Sequence, residues 1–149
     1  MNDSVKIVGN LKIVKKDKDN KIVETRSIPN LVVNAGKAYI AAKLVDNPSS
    51  NVPNSMALGS DATAAAASQT ALLSELGRVK DGNFSNVISS NTITFTGVFG
   101  GGVATGSVAE AGIFDSPDAG GTMLCRTVFS AITKGASDSI TVTWNVTIA

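Results

Sequence analysis

The sequence predicts a mainly β protein, an antiparallel β-sandwich or barrel with an N-terminal β-hairpin and one or two short helices. Three features of the chain point there. Ser139 to Ile148 sets Ile140, Val142, Trp144, Val146 and Ile148 on one face and Thr141, Thr143, Asn145 and Thr147 on the other. A period of two is the mark of a half-buried strand, and it puts the only Trp on the buried side. Further β-type runs precede it, separated by Gly-rich turns at Gly100–Gly102 and Gly120–Gly121, as in a sandwich or barrel. Finally, 17% charged and 5% aromatic residues, with much Ala, Gly, Ser, Thr and Val, suit a sheet protein with tight turns. A chain of 149 residues is long enough for one domain with a real core. Its organisation reads as a basic β-hairpin or arm over 1–29 and a β-rich sandwich domain over 30–149.

From the start, Val5 to Lys15 alternates loosely, with Ile7, Leu11 and Ile13 opposite Lys6, Asn10 and Lys12. Lys16 to Asn20 is a polar turn, and Lys21 to Ile28 is extended up to Pro29, which makes a hairpin. Its lysines suit an exposed or edge position, where charge discourages stray pairing. A helix is expected near 34–45, capped by Asn34, with Ile40, Ala41 and Leu44 forming a narrow apolar stripe against the sheet. Asp46 to Pro53 holds two prolines and cannot continue it. Met56 to Gly59 is a short strand, Asp61 to Ser68 an Ala-rich connection, and Ser68 to Leu76 could form two turns of helix. Val87 to Phe99 reads as one long strand with Ile93, Phe95 and Phe99 inward, where Gly97 marks a bulge or close contact. Val108 to Phe114 and Thr122 to Phe129 are further strands, with a turn over Asp115–Gly121 between them and a link over Thr133–Asp138 after them.

Chemistry is scarce. The chain has no His, so no Ser-His-Asp or Cys-His arrangement and no His-based metal centre is possible. Cys125 is alone, which excludes a disulfide framework within the chain. The glycine runs lack the Lys-Ser/Thr ending of a phosphate loop. Asp17-x-Asp19-Asn20 is like the opening of a calcium loop but lacks its sixth-position Gly and twelfth-position Glu, where Ile28 stands. Glu110, Asp115 and Asp118 could supply paired carboxylates. Against this, Glu110 is expected to pair with Arg126 on a neighbouring strand, and Glu75 with Arg78. No catalytic, cofactor-binding or metal residues are therefore assigned, and no enzyme activity is expected.

Net charge is +1, yet residues 1–46 hold nine Lys/Arg against five Asp/Glu, and residues 47–149 hold four against seven. That division could help copies dock on one another or on an acidic surface, although a solvated basic hairpin is the plainer reading. Lys12, Lys15, Lys16, Lys18 and Lys21 are the candidate interface residues. The hairpin lacks the interleaved aromatics of a nucleic-acid surface, so no nucleic acid is expected as partner. No run is long enough to span a bilayer and the start lacks a signal pattern. Synthesis in a cytoplasm is expected, with no membrane partner.

Several blocks carry a resemblance: Asn30-Leu-Val-Val-Asn-Ala-Gly-Lys37 with Ile40-Ala41, Thr70-Ala-Leu72 with Glu75-Leu-Gly-Arg78, Glu110-Ala-Gly-Ile-Phe114, Gly121 to Phe129, and Lys134 with Asp138 to Trp144. In this order they resemble a family of small virion structural proteins of tailed bacteriophages, labelled variously tail-fibre, baseplate or head-decoration proteins. Ser60 and Asp61 depart from a more usual Gly-Thr. The resemblance implies a particle component without catalytic residues, made in the host bacterial cytoplasm and resident in the virion. A compact chain without fibre repeats or heptads suits a capsid decoration (cement) protein, expected as a homotrimer bound to the major capsid protein. A tail baseplate or fibre subunit is the alternative. A host-glycan module using Trp144, Tyr39 or the Gly-rich loops is the third reading, and it requires an exposed Trp144.

Overall fold

The structure, a computed structural model, describes residues 4–45 and 51–149. Among the described residues nine strands form one antiparallel sheet: β1 (Ile7–Lys16), β2 (Ile22–Val32), β3 (Ser55–Gly59), β4 (Glu75–Lys80), β5 (Phe84–Ser89), β6 (Thr92–Phe99), β7 (Gly106–Phe114), β8 (Met123–Lys134) and β9 (Ser139–Ile148). One helix, α1 (Asn34–Leu44), follows β2. The strand order is β4-β3-β7-β8-β2-β1-β9-β6-β5. Its two end strands are joined in sequence by a 3-10 turn, Asp81–Asn83, and the sheet curls into a nearly closed barrel.

The barrel interior is built as the alternation of β9 predicts. Ile140, Val142, Trp144 and Val146 are buried and face Leu11, Ile13, Phe95, Phe99, Ile113 and Ile132. Trp144 stands between Leu11 on β1 and Phe95 on β6 in the ladder, at the centre of the wall. Gly97 is inward and a Cβ there would meet Met56 Sδ at 2.8 Å, which confirms the close contact expected at that position. The outer face of β9 and β6 is a hydroxyl and amide ladder. Thr92 Oγ1 lies 2.8 Å from Thr147 Oγ1, and Thr94 Oγ1 donates to Asn145 Oδ1 at 2.8 Å.

Several expectations are corrected. The hairpin β1–β2 is not at an edge: β1 pairs with β9 over Ile7–Lys16, in the middle of the strand order, and its Leu11 and Ile13 are core. Residues 7–29 and the rest thus share one sheet. The long strand over Val87–Phe99 is a hairpin, β5 and β6, reversed at Ser90 and Asn91, with Ser90 at φ 55°. β8 runs on to Lys134 through part of the expected link.

Ser68–Leu76 forms no helix, because its backbone groups are satisfied elsewhere. Glu110 takes the N–H groups of Leu73 and Ser74, the Ser74 carbonyl accepts from Ser60 N–H, and Glu75 already belongs to β4. At α1 the cap position is Val33, and Asn34 is the first helical residue with no side-chain cap. Gly36 and Tyr39 are the buried residues, whereas Ile40 is half-buried and Leu44 is 84% exposed. Gly36 decides the docking: a Cβ would lie 2.0 Å from the Leu124 carbonyl oxygen, so only glycine lets the helix rest on β8. The expected loop Asp46–Pro53 falls partly on 46–50, outside the described residues.

Candidate functional site

Three places on this scaffold concentrate polar or accessible groups. The first is the β1–β2 turn. Asp17 Oδ1 accepts from Asp19 N–H at 2.9 Å and Lys21 N–H at 3.1 Å, and Asn20 takes φ 61°. The Asp17 carboxylate thus organises the turn. Lys12, Lys18 and Lys21 are exposed and Lys16 is half-buried. Lys15 differs: it shares the inward parity of Leu11 and Ile13, and its Nζ lies 3.6 Å from Asp138 Oδ2. The five lysines are therefore not one patch. Lys16, Lys18 and Lys21 gather at the turn, Lys12 stands further along the outer face, and Lys15 is turned to the barrel end. There Lys134, buried, donates from Nζ to the Gly100 carbonyl at 2.8 Å. Burial lowers the pKa of Lys134 and Asp138 opposes the shift. The Gly135 N–H bond, at 2.7 Å, is the main reason the Asp138 carboxyl lies below its usual range, with Lys15 and Lys134 adding to it.

The second place is a buried ion pair outside the barrel. Register sets Gly112 beside Arg126 and Glu110 beside Val128, and a bulge between Val108 and Glu110 turns the carboxylate outward. Arg126 Nε and Nη2 each lie 2.9 Å from Glu110 Oε2, both side chains wholly buried. The pair expected from the sequence is present, and its wider role was not visible there. Residues 60–74 cross this face as a strap, and the pair clamps it. Glu110 accepts Leu73 N–H at 3.1 Å and Ser74 N–H at 2.8 Å, while Arg126 Nη1 donates to Thr63 O at 3.0 Å and Gln69 Oε1 at 2.9 Å. Asp61, its pKa lowered mainly by hydrogen bonds from Thr63, lies 3.9 Å from Arg126 Nη2. Under the strap Leu72 joins Val33, Ala57, Phe114 and Met123 in a second small core.

Arg78 fastens the neighbouring turn in the same way. It pairs with Glu75 at 2.8 Å, donates to the carbonyls of Ser116, Asp118 and Gly120, and lies over the Phe114 ring at 4.0 Å. The three carboxylates weighed for acid–base work are each held apart. Glu110 grips the strap, Asp115 accepts Thr122 N–H at 2.6 Å, and Asp118 meets Lys80 at 3.2 Å. Cys125 is buried, which pushes its thiol well above the ordinary value.

The third place is a cavity of about 350 Å³ at one mouth of the barrel, between α1 and the inner faces of β5, β6 and β9. Tyr39, Ile40, Ile93, Phe95, Leu124 and Val146 form its wall, and Leu44, Val52 and Ile148 its exposed rim. Tyr39 donates to the Asn51 carbonyl at 2.5 Å, and burial, assisted by the charge of Asp115, pushes its phenol up to about 12. The sequence did not predict this cavity, because it depends on how α1 lies across three strands distant in the chain. Trp144 is 0% exposed and cannot stack on a sugar, which removes the aromatic platform the glycan reading required. Among the described residues no cluster of His, Cys, Asp or Glu could hold a metal, and no helix is long and apolar enough to cross a membrane. No family model, curated protein or solved structure matches the chain.

Proposed function

We propose that the chain is a non-enzymatic structural protein of a tailed-phage particle, a decoration protein that binds the assembled head and stabilises it. The observation that carries this reading is how the polar side chains are spent. Within the blocks that bear the resemblance, Glu110, Arg126 and Arg78 serve to clamp a strap and a turn onto the barrel wall. Such a body holds its shape and offers surfaces. One is the basic turn with Lys16, Lys18 and Lys21, and Lys12 further along the same strand, a complement for an acidic region of the major capsid protein. Cementing acts by linkage: a protein that binds only the assembled shell stabilises that shell.

The test has two parts. Quantitative mass spectrometry of purified particles should find the chain in hundreds of copies, on the order of the capsid protein itself, and added protein should raise the temperature at which bare heads break. A handful of copies per particle would move it to the tail as a baseplate or fibre subunit. Absence from the particle would defeat both.

A further inference from the structure

The strand β5 ends the sheet, and among the described residues it pairs with β6 alone, in unbroken register from Phe84↔Gly97 to Ser89↔Thr92. Its residues Ser85 to Ser89 are all exposed. Proteins guard such an edge with charge, proline, bulges or a covering element, since its free N–H and C=O groups are a template for another strand. At the opposite end β4 is guarded, with Glu75, Arg78 and Lys80 and a register shift at Gly59. β5 reads Phe-Ser-Asn-Val-Ile-Ser and has none of these devices. Instead Val87 is 66% and Ile88 72% exposed.

The charge pattern says what can cover the edge. No charged side chain occurs from Gly82 to Ala109 or from Ser139 to Ala149, so β5, β6 and β9 form a wholly neutral end of the sheet. A neutral surface selects no charged partner and does not repel its own copy. We infer that β5 pairs with β5 of a second copy, antiparallel about a twofold axis through Val87, joining two barrels into a dimer by strand addition. Centring on Val87 uses the whole exposed run. Val87 then faces Val87 of the other copy on the outer side, with Ser85 opposite Ser89. On the inner side Asn86, which lines the barrel-mouth cavity, meets Ile88 of the other copy. Ile88 already stands beside the cavity residue Ile93 in the ladder, so pairing covers the exposed apolar edge of that mouth. An edge paired with itself requires twofold symmetry, unlike the threefold association expected from the resemblance. The inference stands independently of any phage particle.

Sedimentation equilibrium of the full chain should give twice the 15.2 kDa of the monomer, and Val87→Lys should halve that mass while leaving Trp144 emission unchanged. Should Val87→Lys fail to fold, Ser85→Lys on the same exposed side serves instead. Val87→Cys should form a disulfide-linked dimer on oxidation, because Cα atoms directly opposite in an antiparallel pair lie about 4.5–5.5 Å apart, within disulfide range. The parent chain, with Cys125 buried, should not. A monomeric parent, a trimer, a dimer that survives both lysine variants, or failure of Val87→Cys to cross-link would each overturn the inference.

Discussion

Glu110→Gln tests whether the strap hangs on one buried carboxylate. Glu110 Oε1 accepts Ser74 N–H, and Oε2 accepts Leu73 N–H and Arg126 Nε–H, with Arg126 Nη2 in ion-pair contact at 2.9 Å. Glutamine keeps the shape but turns one acceptor into a donor. With its oxygen at the Oε2 position, the NH2 faces Ser74 N–H. With its oxygen at Oε1, the NH2 faces Leu73 N–H and Arg126, which is worse. The better orientation still orphans a buried donor, about 1–3 kcal/mol. It also leaves Arg126 in the interior without its nearest counter-charge, and breaking a buried pair typically costs about 3–5 kcal/mol.

These costs overlap, and Asp61 at 3.9 Å supplies part of the missing charge, so a net loss of about 3 kcal/mol is expected. With a slope of about 2 kcal/mol per M, the urea midpoint read from Trp144 fluorescence should fall by about 1.5 M. Hydrogen exchange supplies the local readout. The Leu73 and Ser74 amides should lose protection beyond the global change, while Asp61→Asn, at a half-buried partner 3.9 Å from the guanidinium, should cost much less than Glu110→Gln. A Glu110→Gln loss below about 1 kcal/mol, or strap amides that follow the barrel unchanged, would refute the clamp.

Gly36→Ala should reverse the usual sign. In an exposed helix interior alanine is better than glycine by about 1 kcal/mol, but here a Cβ meets the Leu124 carbonyl oxygen at 2.0 Å. A loss of about 1–3 kcal/mol is expected from overpacking, and a raised melting temperature would show that α1 does not rest on β8. Tyr39, the only Tyr, should titrate near 12 by phenolate absorbance. Because its folded pKa is raised, its contribution to stability is whole below the unfolded value of about 10 and is lost as pH rises toward about 12. Tyr39→Phe should therefore flatten the alkaline limb of the stability profile, and an unchanged limb would contradict this. Asp138, its pKa lowered, contributes stability above the ordinary carboxylate pKa that fades as pH falls through the depressed value. Asp138→Asn should lessen acid sensitivity in the same assay.

Periodicity carried the barrel interior. Ser139–Ile148 and Ile93–Phe99 alternate cleanly because each has one wet and one dry face, and their inward residues are legible as such. The misses have a common cause. β4 and the strap residues 60–74 satisfy their backbone and side chains through contacts made far along the chain, with Glu110, Arg126 and Asn34. No local pattern encodes those. Val87–Phe99 read as one strand because Ser90-Asn91 is not among the strongest hairpin pairs, and the reversal depends on Ser90 at φ 55°. The pairings Glu110–Arg126 and Glu75–Arg78 were legible because each has one plausible nearby opposite charge. The lysines were legible as a charge cluster. Their separation into a turn group and an inward Lys15 required the strand parity that only Leu11 and Ile13 in the core establish.

The charge division of the sequence becomes an ordering across the sheet. Acidic residues Asp61, Glu75, Asp115 and Asp118 lie on or beside β3, β4 and β7, the basic turn joins β1 and β2, and β9, β6 and β5 are neutral. The two surfaces proposed above should therefore answer salt in opposite ways. Contacts through Lys12, Lys16, Lys18 and Lys21 act across solvent and are screened over about 8 Å at physiological ionic strength and about 3 Å at 1 M. The β5 pairing rests on backbone hydrogen bonds and apolar contact, which salt does not screen. Binding of the chain to purified heads should fall steeply between low and high salt and be lost in Lys12→Glu/Lys18→Glu/Lys21→Glu, while that variant's sedimentation mass stays double at every salt concentration. A dimer that dissociates with salt would mean that charge, not the neutral edge, joins the copies. Head binding indifferent to salt would mean that the lysines are only solvated side chains on the turn.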